Sequence, residues 1–475
     1  MADSKIFSVA QTKNTFIPRN VPAQGWNALG VAWISYACQV FLKTCIFTLM
    51  TLYAIEFNLS PITVMLFPAL FTILCGPLAP KLCHSTDKLG GGWGRRHITM
   101  VICLVYVIAA FAISQPIFSG TAITFLILVM IIALFVGPCE PLVCAMAADW
   151  FPMENRGFAL GFHHTGYPWG SFVAGQIISV ILIHFGDENW RLCFLLLALP
   201  TVIIVWWFRY SLTLKEQHKL IKTAKDRGIH ITLADEKLPD AVKTEGPTER
   251  VSIGKAFAMS LKNPTACMAM LCGLFTCGIY WVWAGWLPLY IFNIGGFSAA
   301  ATASFAVVFA ITGGIGQIVW GSLSDRLGRK FSMLIICVWT IAGYWLMQYS
   351  LTSVTTLIVF QLIVGCVSNA PFPLLYSIMY DVSDIRIKGV TASFIDVAFY
   401  LGALFMFLSG VFIQVGGGFA SPTGYMWTLY MMMIIYAAAF FCMLFFSRET
   451  KGWFYKKDWS VFPRSMSNVP EPEDM

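Results

Sequence analysis

The sequence predicts an all-α integral membrane protein with twelve transmembrane helices in two pseudo-symmetric six-helix bundles. Three observations lead to this fold class: the composition, the number of apolar segments and an internal repeat. Of the 475 residues, 58% are hydrophobic and 12% are charged, with a mean hydropathy of +0.72. A soluble domain carries about twice that charged fraction, so the composition excludes an ordinary soluble protein.

Apolar segments occur twelve times along the chain, six before and six after one long polar stretch. Each approaches the roughly 20 residues that a membrane-spanning helix needs. In order, spans 1 to 12 are predicted at 29–55, 62–82, 98–116, 122–149, 157–184, 190–211, 264–292, 299–322, 331–350, 354–381, 389–415 and 426–447.

The cations predict the orientation of these spans. The tail before span 1 is polar and lacks the apolar core of a secretory signal, and if it is cytoplasmic, 29 of the 31 Lys and Arg residues lie on that side. Loops rich in Lys and Arg stay in the cytoplasm, so both termini are predicted to be cytoplasmic. The lean tails and short loops are typical of a bacterial inner-membrane protein. The predicted divisions are a tail at 1–25, a bundle at 26–211, a linker at 212–262, a second bundle at 263–447 and a tail at 448–475.

Two cations do not follow this distribution. Arg191 follows Trp190 at an outer helix start, where an aromatic residue and a cation commonly anchor a membrane interface. Lys43 lies in the middle of span 1, where a charge costs roughly 2.5 to 3.5 kcal/mol on insertion scales. We therefore expect Lys43 to face a polar cavity or a partner and to have a function.

The two bundles are predicted to be copies of one another. Five pairs of residues, each separated by 232 positions, join the region of spans 4 and 5 to the region of spans 10 and 11. Parallel repeats of this kind place a substrate site between the bundles near the membrane midplane. The pairs are Asp149 with Asp381, Arg156 with Lys388, Gly157 with Gly389, Phe162 with Phe394, and Gly170 with Gly402.

Charged motifs follow spans 2 and 8. The loop after span 8 runs from Gly321 through Asp325-Arg326 to Gly328-Arg329-Lys330, and Gly76, Asp87 and Gly94-Arg95-Arg96 form a stretched copy after span 2. In these motifs the chain resembles the major facilitator superfamily. Acids and arginines at helix ends can bridge to neighbouring helix termini and hold one conformation. The predicted latch comprises Asp87, Arg95, Arg96, Asp149, Arg156, Asp325, Arg326, Arg329, Asp381 and Lys388.

Within that superfamily the chain looks most like the anion:cation symporter family. The similar strings include Glu140-Pro141, Trp150-Phe151-Pro152 and, in span 7, Trp286 through Pro288 to Tyr290. The resemblance implies that Glu140 carries the proton. It also implies an Arg in span 1, whereas this chain has Lys43 at about that depth.

Charges inside the spans predict the coupling chemistry. A carboxyl group in mid-span can load and release protons because burial disfavours its charged form, which makes Glu140 the main proton-coupling candidate. If a substrate carboxylate binds Lys43, Glu140 loses its counter-ion and takes up a proton; the alternative is that the two residues only neutralise each other. His163 and His164 begin span 5, and Asp396 is the repeat counterpart of His164. Asp396 and His164 are additional candidates for coupling, and all three for lining the cavity.

Further candidates for substrate binding follow from helical spacing. Tyr36 and Gln39 share the helix face of Lys43, and Trp286 and Tyr290 lie four residues apart in span 7. In span 10, Asn369 and Tyr376 flank Pro371 and Pro373, which bend a helix and free its carbonyl groups.

The sequence favours a secondary active transporter that carries a small organic anion, such as a sugar acid or an aromatic acid, together with protons. Asp396 and the aromatic residues leave open a zwitterionic or quaternary-amine solute, and a non-transporting membrane sensor is the alternative from another class. An enzyme is not expected, because GxSxG, HExxH and P-loop motifs are absent from the sequence. No cofactor, metal or nucleic acid is expected, since the 14 Cys form no CxxC pair. The chain is expected to work as a monomer in the lipid bilayer.

Overall fold

The computed structural model describes residues 18, 20–79, 81–82, 91–152, 155–229, 231, 253–382 and 388–453. Within them, eleven helices are long and apolar enough to cross a membrane, and Pro61–Leu74 is a shorter apolar helix. Large apolar side chains on their outer faces are strongly exposed, including Ile108, Ile123 and Ile203, as expected for a surface that faces lipid. The predicted helical membrane fold is confirmed.

The first six spans form one bundle. Span 5 is broken at Thr165, and span 1 continues past Leu49 in a short second helix. The helices are Ala23–Thr48 with Met50–Glu56, Pro61–Leu74, Gly91–Ser114, Ala122–Trp150, Arg156–His164 with Gly166–Phe185, and Leu192–Ser211. A linker helix at Leu214–Asp226 follows, where lysines recur at helical spacing.

The second six spans form the other bundle after a short helix at Ile253–Leu261. Spans 8, 10 and 11 are each built from two helices, and the break in span 10 lies at Asn369 and Ala370, just before Pro371. The helices are Pro264–Asn293, Ala299–Phe305 with Phe309–Leu327, Arg329–Met347, Val354–Ser368 with Pro371–Val382, Lys388–Leu401 with Leu404–Val415, and Pro422–Phe446.

Three spans begin at a polar residue followed by proline. The side chains of Ser60, Asn263 and Ser421 accept hydrogen bonds from backbone N–H groups in the first turn of spans 2, 7 and 12. Such caps satisfy donors that have no partner within the helix, and proline is preorganised for the first helical position. Local sequence thus determines where these spans begin.

The two bundles pack their helices in equivalent ways. In the first, Gly170 of span 5 lies against Ala37 of span 1, and an added Cβ atom would be 2.9 Å from the Ala37 Cα atom. At the repeat counterpart, Gly402 of span 11 lies against Gly278 of span 7, where a Cβ atom would be 2.5 Å from the Gly278 Cα atom. Both contacts require glycine because the helix backbones touch.

The linker helix and both ends of the described chain lie on one side, here called the linker side; the opposite side is the far side. Two seams join the bundles toward the far side. In the first, Gln176 of span 5 accepts a hydrogen bond from the Ser304 hydroxyl of span 8 at 2.7 Å and donates to its carbonyl oxygen at 3.2 Å. In the second, Gly410 of span 11 packs on Pro61 and Ile62 at the start of span 2. The structure therefore has its bundles closed on the far side.

Arg191 has a different environment from the one expected. It is 7% exposed, so its side chain is buried inside the first bundle and does not lie on the protein surface. Its guanidinium group pairs with Glu56 at 2.7 Å and donates to the hydroxyl and carbonyl oxygens of Ser119. Trp190 also donates to Glu56, at 2.7 Å. The cation therefore joins the far-side ends of spans 1, 3 and 6.

Candidate functional site

A cavity of about 520 Å³ lies between the two bundles. Both bundles supply its walls, as the repeat predicts. The first bundle contributes Tyr36, Lys43, Glu140, His164 and Tyr167. The second contributes Trp281, Gln317, Asn369, Phe372, Tyr376, Asp396, Phe399 and Tyr400.

The wall from the first bundle holds a hydrogen-bonded ion pair. Tyr36 and Lys43 are seven residues apart on one face of span 1, and both face Glu140 of span 4. The Lys43 ammonium is 3.8 Å from one Glu140 oxygen, while the Tyr36 hydroxyl donates to the other at 2.6 Å. Because 3.8 Å exceeds a hydrogen-bond distance, Lys43 is partly neutralised and keeps donors for an anion.

Aromatic rings flank this ion pair. The Lys43 ammonium lies 5.7 Å from the ring centroid of Tyr167, within range of a cation-π contact. Tyr167 meets Trp281 of the other bundle edge to face, with ring centroids 6.2 Å apart. The cation is thus held between a carboxylate and an aromatic surface that crosses from one bundle to the other.

The facing wall is acidic and aromatic. The Tyr376 hydroxyl donates a hydrogen bond to Asp396, so both cavity carboxylates accept a bond from a tyrosine. Phe399 packs edge to face against Tyr376 at 5.4 Å and against Phe372 at 5.2 Å. The cavity therefore has an ammonium group in one wall and a carboxylate in the other.

The 232-residue repeat extends to the cavity itself. Glu140 and Phe372 occupy equivalent positions, as do His164 and Asp396, and both pairs line the cavity. Tyr167 and Phe399, which the sequence reasoning missed, are a third such pair. An offset of 232 residues leads from Glu140 to Phe372. Tyr167 is the third residue after His164, and the same offset leads from Tyr167 to Phe399. Trp281, Gln317 and Tyr400 carry no such signal.

Four predicted binding residues lie outside this cavity. Gln39 is fully buried, and neither atom of its amide has a hydrogen-bond partner. His163 is also fully buried and stacks on the Tyr36 ring with centroids 4.9 Å apart. Trp286 donates to the carbonyl oxygen of Tyr425 at 3.1 Å and stacks on Tyr290 at 4.4 Å, in the far-side part of span 7. Helical spacing predicts which face of a helix a residue lies on, but it does not predict how deep in the membrane that residue lies.

A second cavity of about 360 Å³ lies beyond Lys43 toward the far side. Lys43 and Tyr167 line both cavities and separate them. The Thr44 and Ser171 hydroxyls, 2.9 Å apart, form part of its polar wall, and Phe309 forms part of its apolar wall. An ion that reached Lys43 from the far side would pass through this space.

Ion pairs occupy the linker-side ends of both bundles. Arg95 pairs with Asp149 at the base of spans 3 and 4. In the second bundle, Arg329 pairs with Asp325 at 2.9 Å and with Asp381 at 3.1 Å. The predicted pattern of acids and arginines thus forms one equivalent cluster in each half.

The other predicted latch residues have different placements. Arg96 donates to the carbonyl oxygen of Leu212, and Arg326 is exposed. Asp87 lies outside the described residues, as do the side chains of Arg156 and Lys388. Glu449 was not predicted from the sequence as part of the latch. Its carboxylate accepts hydrogen bonds from the backbone N–H groups of Lys330 and Phe331 at the start of span 9.

In the part of the chain that the structure describes, no group of three or more His, Cys, Asp or Glu side chains is arranged to hold a metal ion. The thirteen cysteines in these ranges are free.

The sequence resembles transporters over much of its length. A family model described as Major Facilitator Superfamily matches residues 32–313 and 296–463. The chain is 23% identical over 255 residues to a probable sulfoacetate transporter of Cupriavidus necator, covering 52% of this chain and 54% of that protein. It is 26% identical over 259 residues to a glucose-6-phosphate exchanger of Mus musculus, covering 50% of this chain and 49% of that protein. The chain spans about half the length of these two relatives.

A solved structure shares the fold. The xylose transporter XylE from E. coli, in a partially occluded inward-open conformation, superimposes with a TM-score of 0.66 at 14% sequence identity. The match covers 91% of this chain and 99% of that chain. The likeness confirms the predicted arrangement of two six-helix bundles.

Proposed function

Because the chain belongs to the major facilitator superfamily, a family of transporters and not of enzymes, we propose that it is a secondary active transporter. It carries a small organic anion together with protons by alternating access of its two bundles. The observation that carries this proposal is the Lys43–Glu140 pair, which lies in a cavity between the bundles. Burying a cation at this depth costs free energy, so we expect a lysine to be retained there only because it has a function.

Electrostatics couples the two loads. An anion that binds Lys43 takes the counter-ion away from Glu140, whose charged form then keeps only the Tyr36 hydrogen bond and repels the anion. Protonation of Glu140 removes that repulsion. Anion and proton therefore stabilise each other's binding, which is the reciprocity that symport requires.

The names of the two relatives support an anionic cargo. Sulfoacetate and glucose 6-phosphate both carry negative charge at neutral pH, and the proteins named for them are similar to about half of this chain. Their positive partner in this chain is Lys43, the one Lys or Arg among the described residues that line the central cavity. A carboxylate such as a sugar acid or an aromatic acid fits this charge.

Asp396 and His164 serve as further coupling groups. They are equivalent in the repeat and line opposite walls of the cavity. Asp396 is held by the Tyr376 hydroxyl much as Glu140 is held by Tyr36. A second carboxylate in the cavity allows a second proton to accompany the anion.

Asp396 also favours a second candidate cargo, a zwitterion or a quaternary amine. Its carboxylate lies beside the rings of Tyr376 and Phe399, and aromatic rings bind ammonium groups by cation-π attraction. In this case Asp396 and the rings recognise the cationic group, and Lys43 contributes little to binding.

We also propose a role for the ion pairs, an oligomeric state and a membrane location for the chain. The ion pairs at the linker side act as latches that hold one conformation, with Arg95–Asp149 in one bundle and Arg329–Asp381 in the other. The chain works as a monomer in a cell inner membrane, with both termini and the linker in the cytoplasm. For the two tails, the two bundles and the linker we propose the same boundaries that the sequence predicts.

Uptake by purified protein in liposomes tests the proposal. We expect benzoate, glucuronate or sulfoacetate to accumulate when a pH gradient is imposed, and a protonophore to abolish the accumulation. Lys43→Ala should eliminate binding of the transported anion, whereas Lys262→Ala, which removes an exposed lysine near span 7, should leave it unchanged.

Two outcomes would count against the proposal. Accumulation that survives the protonophore rules out proton coupling. If a betaine is the solute that binds, and its binding survives Lys43→Ala but is lost in Asp396→Asn, the transported solute is a zwitterion and not an anion.

A further inference from the structure

We propose that the central cavity selects an aromatic monocarboxylate, with the carboxylate on Lys43 and the ring between the aromatic side chains of the two bundles. This inference rests on the proposed anion transport and narrows its substrate class. Seven of the thirteen side chains that line the described cavity are Phe, Tyr or Trp. The charges, the available hydrogen-bonding groups and the ring geometry each support this class.

The charges of the cavity favour one negative charge on the substrate. Lys43 is the single Lys or Arg among the described lining residues, and it already faces Glu140 at 3.8 Å. Asp396 supplies a second negative charge on the facing wall. A dicarboxylate or a phosphate would bring a further negative charge toward these acids without a second lysine or arginine among the described lining residues to meet it. A monocarboxylate needs only Lys43.

Few hydrogen-bonding groups remain for a polyhydroxylated substrate. The hydroxyls of Tyr36 and Tyr376 already donate to the two cavity carboxylates, and the amide nitrogen of Asn369 donates to Ser368. Two buried lining groups lack a partner: the amide oxygen of Gln317, an acceptor, and the indole N–H of Trp281, a donor. A sugar acid carries several hydroxyls, and each one buried without a partner weakens binding. The cavity is therefore poorly matched to a sugar acid.

The rings are arranged to accept another ring. Phe399 meets both Phe372 and Tyr376 edge to face, with interplanar angles of 77° and 82°. Tyr167 of the first bundle and Trp281 of the second are also edge to face, at 81°. Edge-to-face and offset contacts are the favoured geometries of aromatic pairs. A planar ring whose carboxylate binds Lys43 beside Tyr167 can extend toward this set.

Equilibrium binding of two matched acids to the purified full chain tests the inference. Benzoate and cyclohexanecarboxylate have the same charge and nearly the same size, but only benzoate has an aromatic ring. We expect the wild-type protein to bind benzoate more tightly and to bind glucuronate and phthalate far more weakly. Phe399→Leu keeps an apolar side chain in the wall and removes a ring, so it should reduce the benzoate preference about two- to tenfold.

The control variant is Phe405→Leu, in the same span, whose ring packs on Phe275 and does not line the cavity. It should leave the preference unchanged. Because the result is a ratio of two affinities in one protein sample, a partly unfolded variant does not distort it.

The outcomes separate this inference from the function on which it rests. Equal binding of benzoate and cyclohexanecarboxylate, or tighter binding of glucuronate or phthalate, would overturn the aromatic class while leaving anion transport intact. An unchanged preference in Phe399→Leu would overturn the proposed ring position. If none of these acids binds and Lys43→Ala changes nothing, the anion function itself fails.

Discussion

Replacing Glu140 with glutamine removes the charge that faces Lys43 and preserves the size of the side chain. The glutamine can still accept the hydrogen bond that Tyr36 donates to Glu140 at 2.6 Å. What it cannot do is neutralise Lys43 or take up a proton. Glu140→Gln therefore separates the electrostatic role of Glu140 from its packing, and we expect it to tighten anion binding while abolishing proton-driven accumulation.

The separation of the two charges sets the size of the effect. At 3.8 Å, two unit charges attract each other by about 4 kcal/mol at an effective dielectric constant of 20. The Glu140 side chain is 25% exposed, so solvent screens part of this attraction. If only about a third of it opposes the anion, the variant should bind the anion about tenfold more tightly at neutral pH.

The pH dependence of binding distinguishes this mechanism. In the wild-type protein, anion affinity should rise as the pH falls, because protonation of Glu140 leaves Lys43 without its counter-ion. The variant should already have high affinity at neutral pH and lose this response. Glu188→Gln, which neutralises an exposed carboxylate outside the cavity, should retain it. Titration calorimetry at neutral and mildly acidic pH measures all three proteins.

Transport assays in liposomes complete the test. Glu140→Gln should exchange external for internal anion but should not accumulate anion when a pH gradient is imposed. Glu188→Gln, which neutralises an exposed carboxylate on the far side, serves as the control and should accumulate normally. A Glu140→Gln protein that still concentrates its substrate, or that binds it no more tightly, would refute the reasoning.

Two further predictions concern the far side. Cysteines at Gln176 and Ser304, whose side chains are hydrogen-bonded at 2.7 Å, should be joined by a short bifunctional methanethiosulfonate reagent, and this cross-link should stop uptake until a reductant cleaves it; uptake unaffected by a verified cross-link would show that the seam does not open. Burial opposes ionisation of Glu56, but hydrogen bonds from Arg191 and Trp190 outweigh it and hold its pKa below the ordinary 4.5. A lowered pKa contributes its full stabilisation above that ordinary value and loses it as the pH falls from there through the folded-state pKa, so thermal stability should fall over that range. Glu56→Gln should remove this contribution, and an unchanged melting profile across the acidic range would contradict it.

Much of the fold was predictable because lipid imposes a simple requirement on each span. Long apolar segments placed the spans, and the repeat placed the cavity between two bundles. The Lys43–Glu140 contact was foreseeable because a cation at mid-membrane depth needs a partner. These features depend on local composition or on a regular offset along the chain.

The remaining features depend on depth and on helix rotation, which local sequence does not encode. Trp286 and Tyr290 have the spacing of a cavity stripe, but they lie toward the far side and pack on Tyr425. Gln39 shares a broad helix face with Lys43, yet its side chain does not line the cavity. Arg191 has the sequence context of an interface anchor, and only the positions of Glu56 and Ser119 reveal its internal role.

The seam between spans 5 and 8 has a thermodynamic consequence. It is held by two uncharged hydrogen bonds between Gln176 and Ser304 and by the close packing of Ala303 and Val307 on Gly175. Each such bond contributes about 0.5 to 1.5 kcal/mol net. A nearly complete shift between two states requires a difference in binding free energy of about 5.5 kcal/mol. Together these two bonds contribute less than that difference, so they do not by themselves stop a bound ligand from shifting the protein to a state in which this seam is open.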